Sequence, residues 1–139
     1  MKKSKKLLII AVVILTIISA ILGWLLYSDR PFETISANEI GEIKVYAIPP
    51  EEEVILSEVE VESVVPILQN LKISKPGYKV FTMSGQTVRL TIQKTDGSTI
   101  ELSNVGNVQI SIDGRSYRAD YDSAEAINNF ANKVLGTGF

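Results

Sequence analysis

A chain of 139 residues with neither cysteine nor histidine is denied disulfides, thiolate nucleophiles, zinc-thiolate sites and the commonest general base. Its net charge of −2 conceals an asymmetry: the first 30 residues hold five of the 14 basic side chains and one of the 16 acidic ones, leaving nine basic against 15 acidic, or −6, in residues 31–139. An acidic exterior argues against nucleic-acid binding and against docking on anionic lipid headgroups.

Residues 7–27 form an unbroken run of 21 apolar or small residues behind a lysine cluster at Lys2, Lys3, Lys5 and Lys6. At about 1.5 Å per residue a helix of that length spans about 31 Å, enough for the hydrocarbon core of a bilayer. A cleaved signal peptide competes, with Ser19 and Ala20 imitating its cleavage site, but Ile21, Leu22, Trp24, Leu25 and Leu26 carry the apolar run past it. The organisation expected is a basic cytoplasmic tail at 1–6, a transmembrane helix at 7–27, a stalk at 28–38 and an extracytoplasmic domain at 39–139. Four lysines on one flank, against Asp29 and Arg30 on the other, orient the amino terminus inward. Trp24 and Tyr27 fall where an interfacial aromatic anchor sits. The absence of any Asn-x-Ser/Thr acceptor fits a bacterial cell-surface protein.

Polar and breaker residues without periodicity make Ser28 to Asn38 read as a stalk. From Glu39 to Ile48, Ile43, Val45 and Ala47 alternate with Tyr46 and Ile48, as in a strand ended by Pro49-Pro50. From Glu51 to Val61, valines alternate with glutamates and predict extended structure, although Ser57 and Glu60 also have capping-box spacing. Ser63 then caps a short helix, with Pro66 in its first turn and Val64, Leu68 and Leu71 facing the core. Ser74 to Gly77 reads as a turn. Strands follow at Val88–Ile92, Ile100–Leu102, Val108–Ile112 and Ser116–Ala119, joined by turns at Asp96-Gly97, Asn104 to Asn107 and Asp113-Gly114. A closing helix runs from about Ser123 to Leu135, its apolar stripe made by Ala126, Ile127, Phe130, Ala131 and Val134, with Asp122 or Ser123 as cap and Gly136 as stop. That order predicts an α+β domain whose antiparallel sheet has one face covered by two helices.

Four features carry candidate function, each weighed against a structural explanation. Six glutamates within residues 51–62, with Glu58, Glu60 and Glu62 the candidate binding residues, offer an acidic edge to a cation or basic partner; the plainer reading is a solvated strand face. Asp120-Tyr121-Asp122 resembles a fragment of a calcium loop but lacks the alternating ligands and terminal glutamate, so helix capping explains it. Tyr46, Tyr78, Phe81, Tyr117 and Tyr121 could line a cleft or pack as core and cross-strand rings. Thr16, Ala20 and Ser19, Gly23 give small-xxx-small pairs that bring membrane helices together or arise by chance.

Ser-x-x-Lys, Gly-x-Ser-x-Gly, a phosphate-cradling glycine loop and His-containing metal motifs are all missing from the sequence. Paired carboxylates of the glycosidase kind would need a cleft for which 109 residues of short strands leave little room. The layout "IGEIKVYAIPP", "VVPILQNLKI", "VRLTIQKTDGSTIEL" and "VQISIDGRSYRAD", followed by a helix, resembles small uncharacterised extracytoplasmic domains that Gram-positive bacteria attach to an N-terminal signal anchor. The resemblance implies an accessory, sensor or binding role at the cell surface and brings no site residues with it. The expectation is a non-enzymatic, membrane-anchored interaction protein without cofactor or metal, acting through a protein or cell-envelope partner. The alternatives are a small-ligand or cation-binding sensor and an envelope hydrolase using acidic residues.

Overall fold

Lys2–Leu25 is one uninterrupted helix, α1, long and apolar enough to cross a membrane, and none of its residues is buried by the rest of the protein. The computed structural model describes residues 2–79 and 85–136. After a 3-10 turn at Ala37–Glu39, the remaining elements are β1 (Ile40–Ile48), β2 (Glu52–Ile55), α2 (Glu58–Gln69), β3 (Ile73–Pro76), β4 (Thr87–Lys94), β5 (Thr99–Val105), β6 (Gln109–Ile112), β7 (Arg115–Ala119) and α3 (Tyr121–Leu135). The seven strands form one antiparallel sheet in the order β2-β1-β4-β5-β6-β7-β3, and α2 and α3 pack on one face of it. This is the expected α+β architecture.

Period-2 alternation sorts the strands onto two faces. Ile43, Val45 and Ala47 on β1 pair with Ile92, Leu90 and Val88 on β4, and all six are buried against the helices. Leu102 on β5, Ile110 on β6 and Ile73 on β3 continue the layer, while Val64 and Leu68 from α2 and Ile127, Phe130 and Ala131 from α3 close it from above. Each fully buried aliphatic side chain contributes about 1.5–3 kcal/mol of transfer free energy, so this layer holds the domain together. Asn104 interrupts it. Wholly buried on β5, its amide donates to Asn128 Oδ1 on α3 at 2.9 Å and to the Gly106 carbonyl at 3.0 Å, tying sheet to helix.

The hairpin turns follow their residues. Asp113 and Gly114 both take positive φ, 49° and 83°, as a two-residue hairpin loop requires. At the β4–β5 turn the Ser98 hydroxyl and backbone N–H donate to Asp96 and hold its carboxyl below the usual carboxylate range. Because the folded pKa is depressed, the turn's contribution is present at neutral pH and lost as pH falls through that lowered value. Gly136 ends α3 in the left-handed region, as expected, whereas the cap at its start is Asp120, whose carboxylate accepts from the Ser123 N–H.

Four further expectations are corrected. Extended structure stops at Ile55, and the helix begins at Glu58 instead of after Ser63. Ser57 Oγ accepts from the Glu60 N–H at 3.3 Å while Glu60 Oε2 accepts from the Ser57 N–H at 2.8 Å, a complete capping box that satisfies two terminal donors at once. Ser63 is mid-helix, its hydroxyl donating to the Val59 carbonyl, and Pro66 lies well inside α2, where it withholds one hydrogen bond from the carbonyl of Glu62, an exposed residue. Replacing Ser57 by alanine should cost about 1 kcal/mol in a denaturant titration; a strand at this position would lose nothing.

The second correction concerns 28–38, which is no stalk. Asp29 and Ile73 exchange two backbone hydrogen bonds of 2.9 Å, extending the β3 edge. Arg30 donates through Nε and Nη2 to the Gln69 carbonyl and thereby caps the C-terminus of α2. Phe32 and Ile35 are buried in the core, and Gln69 Nε2 donates to the Ile35 carbonyl at 2.8 Å. Thirdly, Ser74 to Gly77 is mostly strand, because β3 pairs with β7 through Ile73↔Ala119 and Ser74↔Arg118 before bulging at Lys75. Fourthly, β5 runs through Asn104 to Val105, and the turn into β6 is correspondingly shorter, with Val108 exposed just before the strand.

Candidate functional site

Helices cover one face of the sheet and leave the other open. On β1 the residues between the buried ones, Lys44, Tyr46 and Ile48, point outward. Register places Ile55 beside Lys44 and Glu53 beside Tyr46 on β2, and Arg89 beside Tyr46 on β4. Across β4 and β5, Arg89 Nε lies 3.6 Å from Glu101 Oε1, and the guanidinium sits 6.0 Å from the Tyr46 ring centroid. Lys44, Tyr46, Ile48, Glu53, Arg89 and Glu101, with Thr91, line a shallow concavity on the outer face. Ile48, in its lining, is 42% exposed, and Ile55, beside Lys44 on β2, is 56% exposed.

The same corner of the sheet has a free edge. Strand β2 has β1 as its single neighbour, and among the described residues nothing pairs with its other side. Its approach is acidic, through Glu51, Glu52 and Glu53, all exposed. An unpaired strand edge beside exposed isoleucines offers backbone hydrogen bonds, apolar contact and negative charge to an incoming extended segment.

The candidate binding residues Glu58, Glu60 and Glu62 are distributed differently from the expected strand face. All three lie on α2, where Glu60 is occupied in the capping box. Glu58 and Glu62, one turn apart, border a separate groove with Asn38, Gly41, Leu56 and Val61. The aromatic residues are not gathered either. Tyr46 faces outward, whereas Tyr117 pairs with Ile110 and packs against the core on the opposite face. Tyr121 is exposed at the start of α3, Tyr78 is half-buried beyond β3, and Phe81 lies outside the described residues. Asp120 of the Asp-Tyr-Asp triplet serves as the α3 cap. Among the described residues no three acidic side chains stand close enough together to hold a metal ion.

Fold and surface thus define an α+β domain carried behind an apolar N-terminal helix. Comparison with known protein families, curated proteins and solved structures finds no match to this chain.

Proposed function

We propose that this is a single-pass membrane protein whose α+β domain stands on the extracytoplasmic side and binds a protein or cell-envelope partner, catalysing no reaction itself. The reading rests on α1 and its lysine-rich leading end for anchoring and orientation. The observation that carries the binding role is the free β2 edge beside Ile48 and Ile55. The edge is short, four residues, but it stands open beside two exposed isoleucines, which is where an added strand would find both backbone partners and apolar contact. A partner strand laid along β2 would gain main-chain hydrogen bonds there, set its side chains against Ile55, and meet Glu51–Glu53 with basic residues of its own.

A photoreactive residue at Ile55 of the full chain, in the cells that make it, should capture one defined partner in preference to the same probe at Val59 on the solvent side of α2. Capture should weaken with salt, because exposed charges are screened over about 8 Å at physiological ionic strength. Equal capture from both positions, or none from Ile55, would remove the binding role.

A further inference from the structure

Where α1 meets the domain, its last turn and the β3–β7 edge enclose a notch. Leu25 and Leu26 form the apolar wall, and Lys72, Arg118, Tyr121 and the carboxylate residue Asp120 line the polar one. Lys75 belongs to the same edge, its Nζ 5.9 Å from the centroid of the Trp24 ring. The chain enforces this placement. Asp29 pairs with Ile73, so Lys72 precedes the paired residue, while Arg118 lies directly across from Ser74.

Among the described residues the cations of this edge are free of ion pairs: those pairs engage Arg30, Lys44, Arg89 and Lys94, whereas Lys72, Lys75 and Arg118 have no carboxylate within 4.0 Å. Asp29 accepts from the Arg30 N–H, and Asp120, within the notch, accepts from the Ser123 N–H and hydroxyl, which turns its carboxylate toward the start of α3; three cations, Lys72, Lys75 and Arg118, stand along this edge against that one notch carboxylate. Asp122 lines the adjoining cleft between α2 and α3. Part of the domain's net −6 is remote from this edge, because Glu51–Glu53 lie by β2 at the opposite end of the sheet, where screening weakens their influence.

We propose that the notch seats the phosphate of an anionic phospholipid from the leaflet on the domain's side. Lys72 and Arg118 hold the phosphate oxygens, and Leu25 and Leu26 meet the first methylenes of the acyl chains. This inference rests on the membrane-anchored reading above. A lipid is favoured over free phosphate because one wall of the notch is apolar and continuous with the membrane helix, a surface that a bare anion leaves unused.

The test is lipid retention by the full chain, purified in mild detergent and offered phosphatidylglycerol and phosphatidylcholine in equal amounts, then weighed by native mass spectrometry. Wild type should keep phosphatidylglycerol in preference. The pair K72E/R118E should lose that preference, and the charge-preserving pair K72R/R118K should keep it. Equal retention by wild type and K72E/R118E overturns the proposal, as does displacement of the lipid by inorganic phosphate, which would identify a free-anion site. Alkaline carbonate washing of the same protein in phosphatidylcholine vesicles separates the two readings. Protein that stays in the bilayer but shows no charge-dependent retention defeats the lipid site alone, and protein that washes off defeats the anchoring along with it.

Discussion

Replacing Phe130 by alanine should lower unfolding free energy by about 3–5 kcal/mol, the usual loss for emptying a buried aromatic site. The ring projects from α3 into the core layer and retains 8% exposure, among Ile127, Ala131 and the buried face of the sheet. A small domain is stable by only about 5–15 kcal/mol, so roughly a fifth or more of the reserve is at stake. The midpoint of a denaturant titration should fall while its slope is unchanged, because the surface exposed on unfolding stays nearly the same. A shift of only a few tenths of a kcal/mol would mean that α3 rests on the sheet without completing its core.

The second large effect lies in the segment that looks like a tether. Phe32 and Ile35 are 7% and 6% exposed, and alanine at either position should cost about 3 kcal/mol. A piece spanning residues 28–139 should therefore melt cooperatively by circular dichroism. The same piece carrying F32A and I35A, or a piece spanning 39–139, should be largely unfolded at room temperature. Three identical melting curves would restore the stalk. The truncation also discards the Arg30 contact to the Gln69 carbonyl, so the 39–139 piece should be the less stable of the two altered forms.

Much of the architecture was legible because its signals are local. Alternation of Val88, Leu90 and Ile92, and of Ile43, Val45 and Ala47, together with Asp-Gly turns and the stripe of Ile127, Phe130 and Ala131, required no knowledge of distant contacts. The start of α2 was misread because glutamates and valines alternate from Glu58 to Glu62 with a strand's period. Val59 is 72% exposed, and the valines that matter are Val61, Val64 and Val65, which with Leu68 make a helical face. The capping spacing of Ser57 and Glu60 was the stronger signal, since it specifies a hydrogen-bond exchange, whereas alternation over five residues specifies only a tendency.

Residues 28–38 were misread for the opposite reason: they have no periodicity, and their order comes from Gln69, Ile73 and the core, all distant in sequence. The open corner of the sheet was illegible on the same ground. Nothing about Ile55 in the sequence distinguishes an exposed residue from a buried one until β2 is known to be the last strand of the sheet.

The bridge between Asp29 and Ile73 leaves only Leu26, Tyr27 and Ser28 between the end of α1 and the first residue fastened to the sheet. If so short a coupling transmits rotation, the domain is a lever and α1 its axle. Six inter-strand steps separate β3 from β2, and at about 4.8 Å each the free edge stands up to about 29 Å from the attachment. A rotation of α1 by about 10° would sweep that edge through about 5 Å, roughly one strand spacing. On the proposed reading, in which α1 spans a bilayer and a partner strand adds to β2, torque on the helix would be delivered, magnified as displacement, at the docking edge.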